Sequence, residues 1–568
     1  MRITVSELLV RYLERLGIDT LFGIPGAHIL PVYDQLQRSS IRTILTKHEQ
    51  GAAFMAGGYA RASGRIGACI ATAGPGATNL VTGIANAYAD HQPLLAITGE
   101  TSTHIFGKGG LQESSGEGGS IDQVTLFRGI TRYHKLIERS DYLPQVLHRA
   151  TRTLTATRPG PVLLSLPFNV QLEAVDSTLL DHILPQPGSL PRRPRLPPLS
   201  ELEQRLRQAR CPVIIAGYGA THRHGSTALT ALSQRHAIPV ATSLKAKGAI
   251  DEHAPLALGT LGVTSDGRAR RYLIDHADLL LFLGASFNER TSYLWDPQLL
   301  NGKQIIQIDH DPEQLERLYH ADLALYGDIP GILNALLDRL HDMPPKQPPP
   351  AAPGSALHWS SGSDHDDQSA PAPAAKPPVE KRTPPAAIRL IEYLFNRLGE
   401  HFPSDIMLFD DNIIFAQNFL RISSANRYYP NSGISSLGHA IPAAIGARLA
   451  SDRTAFAILG DGGFQMCAME LMTAVNYQIP LNILLLNNGT MGLIRKNQQQ
   501  HYQRRFIDCD FINPDFATLA QAFGIHHYRI EQPAAIDQLL AQADLHHAIN
   551  LIEIPIDREI YPNYQSGR

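Results

Sequence analysis

Ala455-Phe456-Ala457-Ile458-Leu459 runs straight into Gly460-Asp461-Gly462-Gly463, and 24 residues after Gly462 a second apolar run, Ile483-Leu484-Leu485-Leu486, ends in Asn487-Asn488. Short apolar runs bounded by turn residues read as strands buried on both faces. The interval between these two is the length of a crossover helix, which makes the pair a βαβ unit of a parallel sheet. Asp461 and Asn488 each follow a strand directly, so they project from neighbouring strand ends into one crevice, where open α/β sheets bind ligands. A carboxylate and an amide oxygen, completed by water and phosphate oxygens, form the hard oxygen set that Mg²⁺ takes. Gly460 and Gly462 let the backbone come close to a diphosphate. A plain Asp-capped turn before an Asn-rich loop would use the same letters. The spacing behind two strands favours metal–diphosphate binding.

Working outward, the same alternation recurs. Ala68-Cys69-Ile70-Ala71 and Leu94-Leu95-Ala96-Ile97 flank a helical stretch at Leu80–Ala89, and Val213–Ala216, Leu279–Leu283 and Ile305–Ile308 recur between helical stretches. The expected fold is therefore α/β, with three parallel-sheet domains over 1–180, 190–340 and 386–568. Two proline-rich tracts separate them, a short one at Leu184–Pro198 and a long Pro/Ala/Ser-rich one at 341–385 that reads as an exposed linker, with Trp359 as a docking hint.

Bulk properties narrow the partners. The 568 residues are 43% hydrophobic and 18% charged, with a formal charge of −3, which supplies no basic field for nucleic acid or an anionic membrane. Cys69, Cys211, Cys467 and Cys509 show no metal-cluster or disulfide spacing. No apolar run reaches spanning length and the start lacks a signal-peptide pattern, so a cytoplasmic protein is expected.

Two further turns, Phe22-Gly23-Ile24-Pro25-Gly26-Ala27-His28 and Thr72-Ala73-Gly74-Pro75-Gly76-Ala77-Thr78-Asn79, join a strand to a helix. Either can be a tight structural turn or a place where backbone amides meet a cofactor. Together with Gly460-Asp461-Gly462…Asn487-Asn488, the Pro442–Ala447 segment and Lys47-His48-Glu49-Gln50-Gly51, they make the chain resemble the thiamine diphosphate enzyme superfamily, within it the acetolactate and acetohydroxyacid synthase catalytic subunits. The resemblance covers nearly the whole chain apart from the long linker. It implies a pyrimidine-binding first domain, a middle spacer and a diphosphate-binding third domain. It implies thiamine diphosphate held by Gly26, Gly74, Pro75, Gly76, Asn79, Leu437, Gly438, Gly460, Gly462, Gly463, Met491 and Gly492, and Mg²⁺ held by Asp461, Asn488 and Thr490. Glu49 then takes the position of the carboxyl that hydrogen-bonds the pyrimidine N1′, so that the 4′-imine can remove the thiazolium C2 proton. That work needs a carboxyl shielded from water; a helix N-terminus would also accept one. Leu437 falls where an aliphatic wedge bends the cofactor, at a position where the synthases usually carry Met.

Enzymes of this cofactor differ in the fate of the enamine that loss of CO₂ leaves behind. The decarboxylases use a histidine pair in the first domain, whereas Gly109-Gly110-Leu111-Gln112-Glu113 is similar to the synthases' Phe-Gln-Glu segment. Gln112 would donate a hydrogen bond without a labile proton, which favours ligation of a pyruvate-derived unit to a second 2-oxo acid. The departures are Asn497 in place of the anabolic synthases' tryptophan and a worn set of flavin-contact segments, Ala216–Gly219, Lys247–Ile250, Gly259–Gly262 and Phe287–Arg290, which leave room for FAD. Other reactions of the cofactor (decarboxylase, acyltransferase, a specialised synthase) and a non-catalytic binding module are the alternatives. A homodimer or homotetramer is implied, with Glu49 and Asp461 of each site on different chains; a regulatory small subunit is left open.

Overall fold

The computed structural model describes residues 1–183, 196–221, 225–351, 385–562 and 564. Among these, three six-stranded sheets are parallel throughout. The first contains β1 (Thr20–Gly23), β2 (Arg42–Leu45), β3 (Gly67–Ala71), β4 (Leu94–Glu100), β5 (Tyr133–Leu136) and β6 (Val162–Pro167), in the order β2-β1-β3-β4-β6-β5. The middle sheet contains β7 (Pro212–Ala216), β8 (Val240–Thr242), β9 (Ala257–Thr260), β10 (Leu279–Leu283), β11 (Gln304–Asp309) and β12 (Leu323–Tyr326), ordered β9-β8-β7-β10-β11-β12. The third contains β13 (Ile406–Asp410), β14 (Arg427–Pro430), β15 (Thr454–Gly460), β16 (Leu481–Asn487), β17 (His526–Arg529) and β18 (Ile549–Pro555), ordered β14-β13-β15-β16-β18-β17. The first and third sheets thus share one strand order, and the middle sheet has the order of a dinucleotide-binding fold. The expected strands are all present. Their unbroken apolar runs arise because helices cover both faces, so β4 and β10 are buried along their whole length.

Equivalent helices join the outer domains. α1 (Glu49–Ser63) follows β2, α2 (Ala440–Ala450) follows β14, and the two pack face to face. Their separation is set by small residues: a Cβ on Gly58 would lie 1.9 Å from the Ala443 carbonyl oxygen, and one on Gly446 1.9 Å from that of Met55. One core therefore runs through both domains, from Phe22, Met55 and Tyr59 to Phe409, Ile441 and Phe464. The middle domain has its own cores. It docks through a buried Lys247–Glu252 ion pair whose Glu252 also accepts from the Ile422 amide, and through Lys245 to Asp90.

The start of the long proline tract is largely exposed, yet it is tied to the middle domain. Met343 is buried, Lys346 donates to the Arg207 and Ala209 carbonyls, and Pro349 accepts from Tyr272. Residues 352–384, Trp359 among them, and 184–195 of the shorter tract lie outside the described residues. Among the described residues no helix is long and apolar enough to cross a membrane.

Candidate active site

The chain order of the first sheet reverses between β1 and β3, which opens a crevice beyond their carboxyl ends. Four consecutive loops meet there. Glu49, the first residue of α1, is 8% exposed, and its Oε2 accepts from Asn79 Nδ2 at 2.9 Å. Its other oxygen faces Gly76, where a Cβ would lie 3.4 Å from Oε1 and 2.9 Å from Thr72 Cγ2. A side chain at 76 would collide with Thr72 and come into contact with the carboxylate. Gly26 also backs onto Thr72, and Gly74, at φ +59°, lies beneath the Gln112 side chain. Pro75 opens the short helix that presents Asn79.

Gln112 itself stands at φ +54°, a conformation costing a non-glycine residue roughly 1–2 kcal/mol. The surrounding loop imposes it. Glu113 accepts from the amides of Gly107 (2.5 Å), Gly109 (3.1 Å) and Gly110 (2.9 Å) and from Ser115 Oγ (2.8 Å). These donors, Gly107 foremost, hold its carboxyl below the usual range. Glu113 is thus the strut of the loop, and Gln112 is the residue presented. Gln112 Oε1 lies 3.2 Å from His28 Nδ1 and 3.4 Å from Thr72 Oγ1, so Nε2 is the end that can donate to a ligand. Behind the loop, Glu100 accepts from the Thr101 and Ser114 amides, and burial pushes its carboxyl up to about 7.

In the third domain Asp461 is the first residue of α3 (Asp461–Cys467) and 1% exposed. Its Oδ2 accepts from the Asn488 amide (2.9 Å), the Gly489 amide (2.6 Å) and Asn513 Nδ2 (2.7 Å), while Oδ1 accepts from the Gly462 amide at 2.9 Å. The donors on Oδ2 leave Oδ1 as the oxygen able to take a cation. Asn488 Oδ1 accepts from the Thr490 amide, and Thr490 is fixed through its hydroxyl to the Cys509 carbonyl. A Cβ on Gly462 would meet Met491 Sδ, and one on Gly492 would meet Asn488 Nδ2, so these residues share one wall. Met491 precedes α4 (Gly492–His501), the helix that carries Asn497.

The segment bearing Leu437 and Gly438 is tied to that wall by Asp411. Its Oδ2 accepts from the Gly438 amide at 2.7 Å and its Oδ1 from Asn431 Nδ2 at 2.9 Å, and a Cβ on Gly463 would lie 2.9 Å from Oδ2. Burial pushes the Asp411 carboxyl up to about 7. No group of three or more His, Cys, Asp or Glu side chains among the described residues could hold a metal by itself. One carboxylate beside amide oxygens suits an ion that draws its remaining ligands from phosphate and water, as Mg²⁺ does.

The sequence alone picks out these residues but misses four that hold them. His28 sits in a quoted turn, and Asp411 is half of an Asp doublet at a strand end; both carry a signal. Asn513 gives none, because it reaches Asp461 from 52 residues away. Glu470 gives none either; its carboxylate accepts from the Lys47 and His48 amides and so fixes the start of α1 from the third domain.

Comparison with known proteins adds independent weight. The family description "Thiamine pyrophosphate enzyme, N-terminal TPP binding domain" matches residues 3–123, the central domain of the same enzymes matches 199–336, and their C-terminal TPP binding domain matches 412–554. The probable acetolactate synthase large subunit of Methanocaldococcus jannaschii is 32% identical, over 97% of this chain and 92% of that protein. The acetolactate synthase isozyme 2 large subunit of Escherichia coli is 32% identical over 94% and 93%. The probable 2-ketoarginine decarboxylase AruI of Pseudomonas aeruginosa is 34% identical over 94% and 90%. These matches take in all three sheets and both loop constellations, and the chain belongs to the thiamine pyrophosphate enzyme family.

Proposed function

We propose that the protein decarboxylates a 2-oxo acid, with pyruvate as the favoured donor, and ligates the remaining unit to a second 2-oxo acid in the manner of an acetolactate synthase. The observation that carries this reading is Gln112. The loop presents an amide at the crevice of Glu49, with Oε1 committed to His28 and Thr72 and Nε2 left to donate. The whole-length likeness to acetolactate synthase large subunits points the same way.

Bound thiamine diphosphate supplies the nucleophilic carbon that adds to the keto group and takes up the electrons CO₂ leaves behind. Glu49, with Oε2 held by Asn79 and Oε1 facing Gly76, holds and moves a proton at Oε1. Gly26, Gly74, Pro75, Gly76 and Asn79 shape the crevice around it. Asp461 through Oδ1, Asn488 through its amide oxygen, and Thr490 hold Mg²⁺, while Gly460, Gly462, Gly463, Met491 and Gly492 line the diphosphate. Leu437 is the aliphatic wedge and Gly438 fixes its segment. FAD enters neither step, because ligation needs no external electron acceptor; a flavin in the middle domain would be structural.

A homodimer is the minimum unit, with Glu49 and Asp461 of each site on different chains. The partners of Glu49 come from its own domain and those of Asp461 from the third. Both faces carry exposed apolar side chains (Leu30, Leu45 and Leu111 on one, Met466, Met469 and Ile512 on the other), a surface that a second copy would cover.

The test supplies the purified protein with thiamine diphosphate, Mg²⁺ and a panel of 2-oxo acids, including one with a guanidinium tail. CO₂ release is measured and the products are identified by NMR. CO₂ together with a branched hydroxy-oxo acid is the expected outcome. CO₂ with aldehyde as the sole organic product would replace ligation by simple decarboxylation, the reaction in the name of the Pseudomonas relative.

A further inference from the structure

His28 is built into the crevice as firmly as Glu49, yet the roles above use it only to orient Gln112. It is 9% exposed. Its carbonyl accepts from Gln171 Nε2 at 2.7 Å. Its Cβ and carbonyl lie against Gly99, where a Cβ would come within 2.9 and 2.4 Å of them. Backbone and ring position are therefore fixed independently of any ligand. With the Gln112 amide oxygen facing the ring, Nδ1 must carry the hydrogen of that contact. Nε2 is then the nitrogen available to exchange a proton, on a ring that touches Gln112.

We propose that His28 is an acid–base residue of this crevice, delivering a proton from Nε2 to the carbonyl oxygen of the acceptor 2-oxo acid as the new carbon–carbon bond forms. The proposal rests on the ligation reading above. As the donor-derived carbon bonds to the acceptor's carbonyl carbon, the π pair moves to oxygen, which takes the proton and becomes a hydroxyl. The neutral ring then recovers a proton from the donor-derived hydroxyl as that carbon regains its carbonyl and the product leaves. One proton is given and one returned, and no oxidant or co-reactant is needed. Imidazole suits such a round trip because one ring nitrogen can exchange a proton while the other keeps its hydrogen bond.

The titratable groups on the elements packed round His28 are Glu100 at the end of β4, Glu113 in the Gln112 loop, Glu49 at the start of α1, and Tyr33 and Asp34 on the helix Leu30–Leu36 that follows His28. The short helix Phe168–Gln171 adds none. Glu100 is the group whose own titration could imitate that of His28, so it enters the test as a control.

The experiment uses the full-length holoprotein with pyruvate. It measures kcat/KM against pH and, separately, thiamine diphosphate affinity by quenching of intrinsic fluorescence. Asparagine places its Nδ2 where the ring has Nδ1, so His28→Asn keeps the donor to Gln112 and lacks the shuttle. His28→Gln reaches to the position of Nε2 but cannot relay a proton. With cofactor affinity unchanged, both should lose about 10²–10⁴-fold in ligation and lose one limb of the pH profile. Glu100→Gln should keep that limb. A His28→Asn protein with wild-type rate and profile would overturn the proposal, leaving His28 as a positioning residue for Gln112. A limb that disappears in Glu100→Gln and survives in His28→Asn would overturn it too. If His28→Asn fails to fold, His28→Gln decides by the same limb. Wild-type protein that quenches with thiamine diphosphate but forms only aldehyde would defeat the ligation reading itself and the acceptor step with it; that result shows in the product spectrum, before any variant is made.

Discussion

The first and third sheets load the same four strand ends with different chemistry. After β1, β2, β3 and β4 come His28, Glu49, the Gly74–Gly76 turn and Gln112; after the equivalent β13, β14, β15 and β16 come Asp411, Leu437, Asp461 and Asn488. Strand order decides where a crevice opens, and it opens in the same place twice. What each crevice can do depends on how its carboxylate is held. Asp461 accepts four hydrogen bonds, three of them on one oxygen, and so is locked in place. Glu49 accepts one from Asn79 and faces a bare glycine, which leaves its other oxygen open to a ligand. On the proposed reading one sheet holds the cofactor and the other reacts.

Removing the locked carboxylate should have the largest effect. Asp461→Ala leaves the Asn488 and Gly489 amides without their acceptor and the cation without its carboxylate. The expected result is loss of thiamine diphosphate and Mg²⁺ retention with the fold preserved, read by cofactor content after gel filtration and by circular dichroism. Wild-type retention would break the contrast between the two crevices. Removing the reactive carboxyl should spare binding instead. Glu49→Gln keeps the size and should bind both cofactors, yet exchange the cofactor's C2 proton for deuterium about 10²–10⁴-fold more slowly. Exchange at the wild-type rate would reduce Glu49 to a helix-capping residue. Mixing the two inactive variants should restore part of the activity through hybrid dimers, and no recovery would argue against sites shared between chains.

These contrasts are unevenly legible in the sequence. Apolar runs bounded by glycine identify strands, because a parallel strand covered on both faces has no polar alternation to blur it. Gly460-Asp461-Gly462 and Asn487-Asn488 are legible because both groups sit next to their strands. Gln112 is legible only by likeness, since the strained backbone that presents it is imposed by Glu113 and Gly74 rather than by a local pattern. Asn513 is invisible, because a contact across 52 residues leaves no periodicity. It is the natural place to sharpen the comparison. Its amide bonds both Asp461 Oδ2 and Asn487 Oδ1, and a hydrogen bond to a charged group contributes about 1.5–3 kcal/mol. Asn513→Ala should weaken apparent Mg²⁺ affinity by about tenfold while leaving C2 exchange of the saturated protein unchanged. Unchanged Mg²⁺ titration would make Asp461 independent of that support.

The smallest effect concerns a property the two sheets share. Each carries one carboxyl at its carboxyl-terminal edge that burial pushes up to about 7, Glu100 in the first and Asp411 in the third. Desolvation dominates in both, outweighing the amides that donate to them. In the unfolded chain these groups titrate near 4.5 and 3.8. Between those values and about 7 the native protein holds protons that the unfolded chain has released, so stability is fully present below the unfolded values and is lost as pH rises through the native ones. Each proton corresponds to about 1.4 kcal/mol per pH unit within its window. Other groups titrate over the same range, so the informative quantity is a difference between proteins. Asp411→Asn removes one titration, and denaturation midpoints of wild type and variant at several pH values isolate it. Whatever the gap at about pH 5, the wild type should lose ground to Asp411→Asn as pH rises to about 7, and the Glu100→Gln pair should show the same slope over that interval because burial pushes both carboxyls up to about 7. A gap that stays constant, or one that moves in the wild type's favour, would mean that Asp411 is ionised throughout. Both aspartates at the third sheet's crevice would then be locked carboxylates, and the asymmetry between holding and reacting would extend beyond Asp461 and Glu49 to the carboxyls that support them.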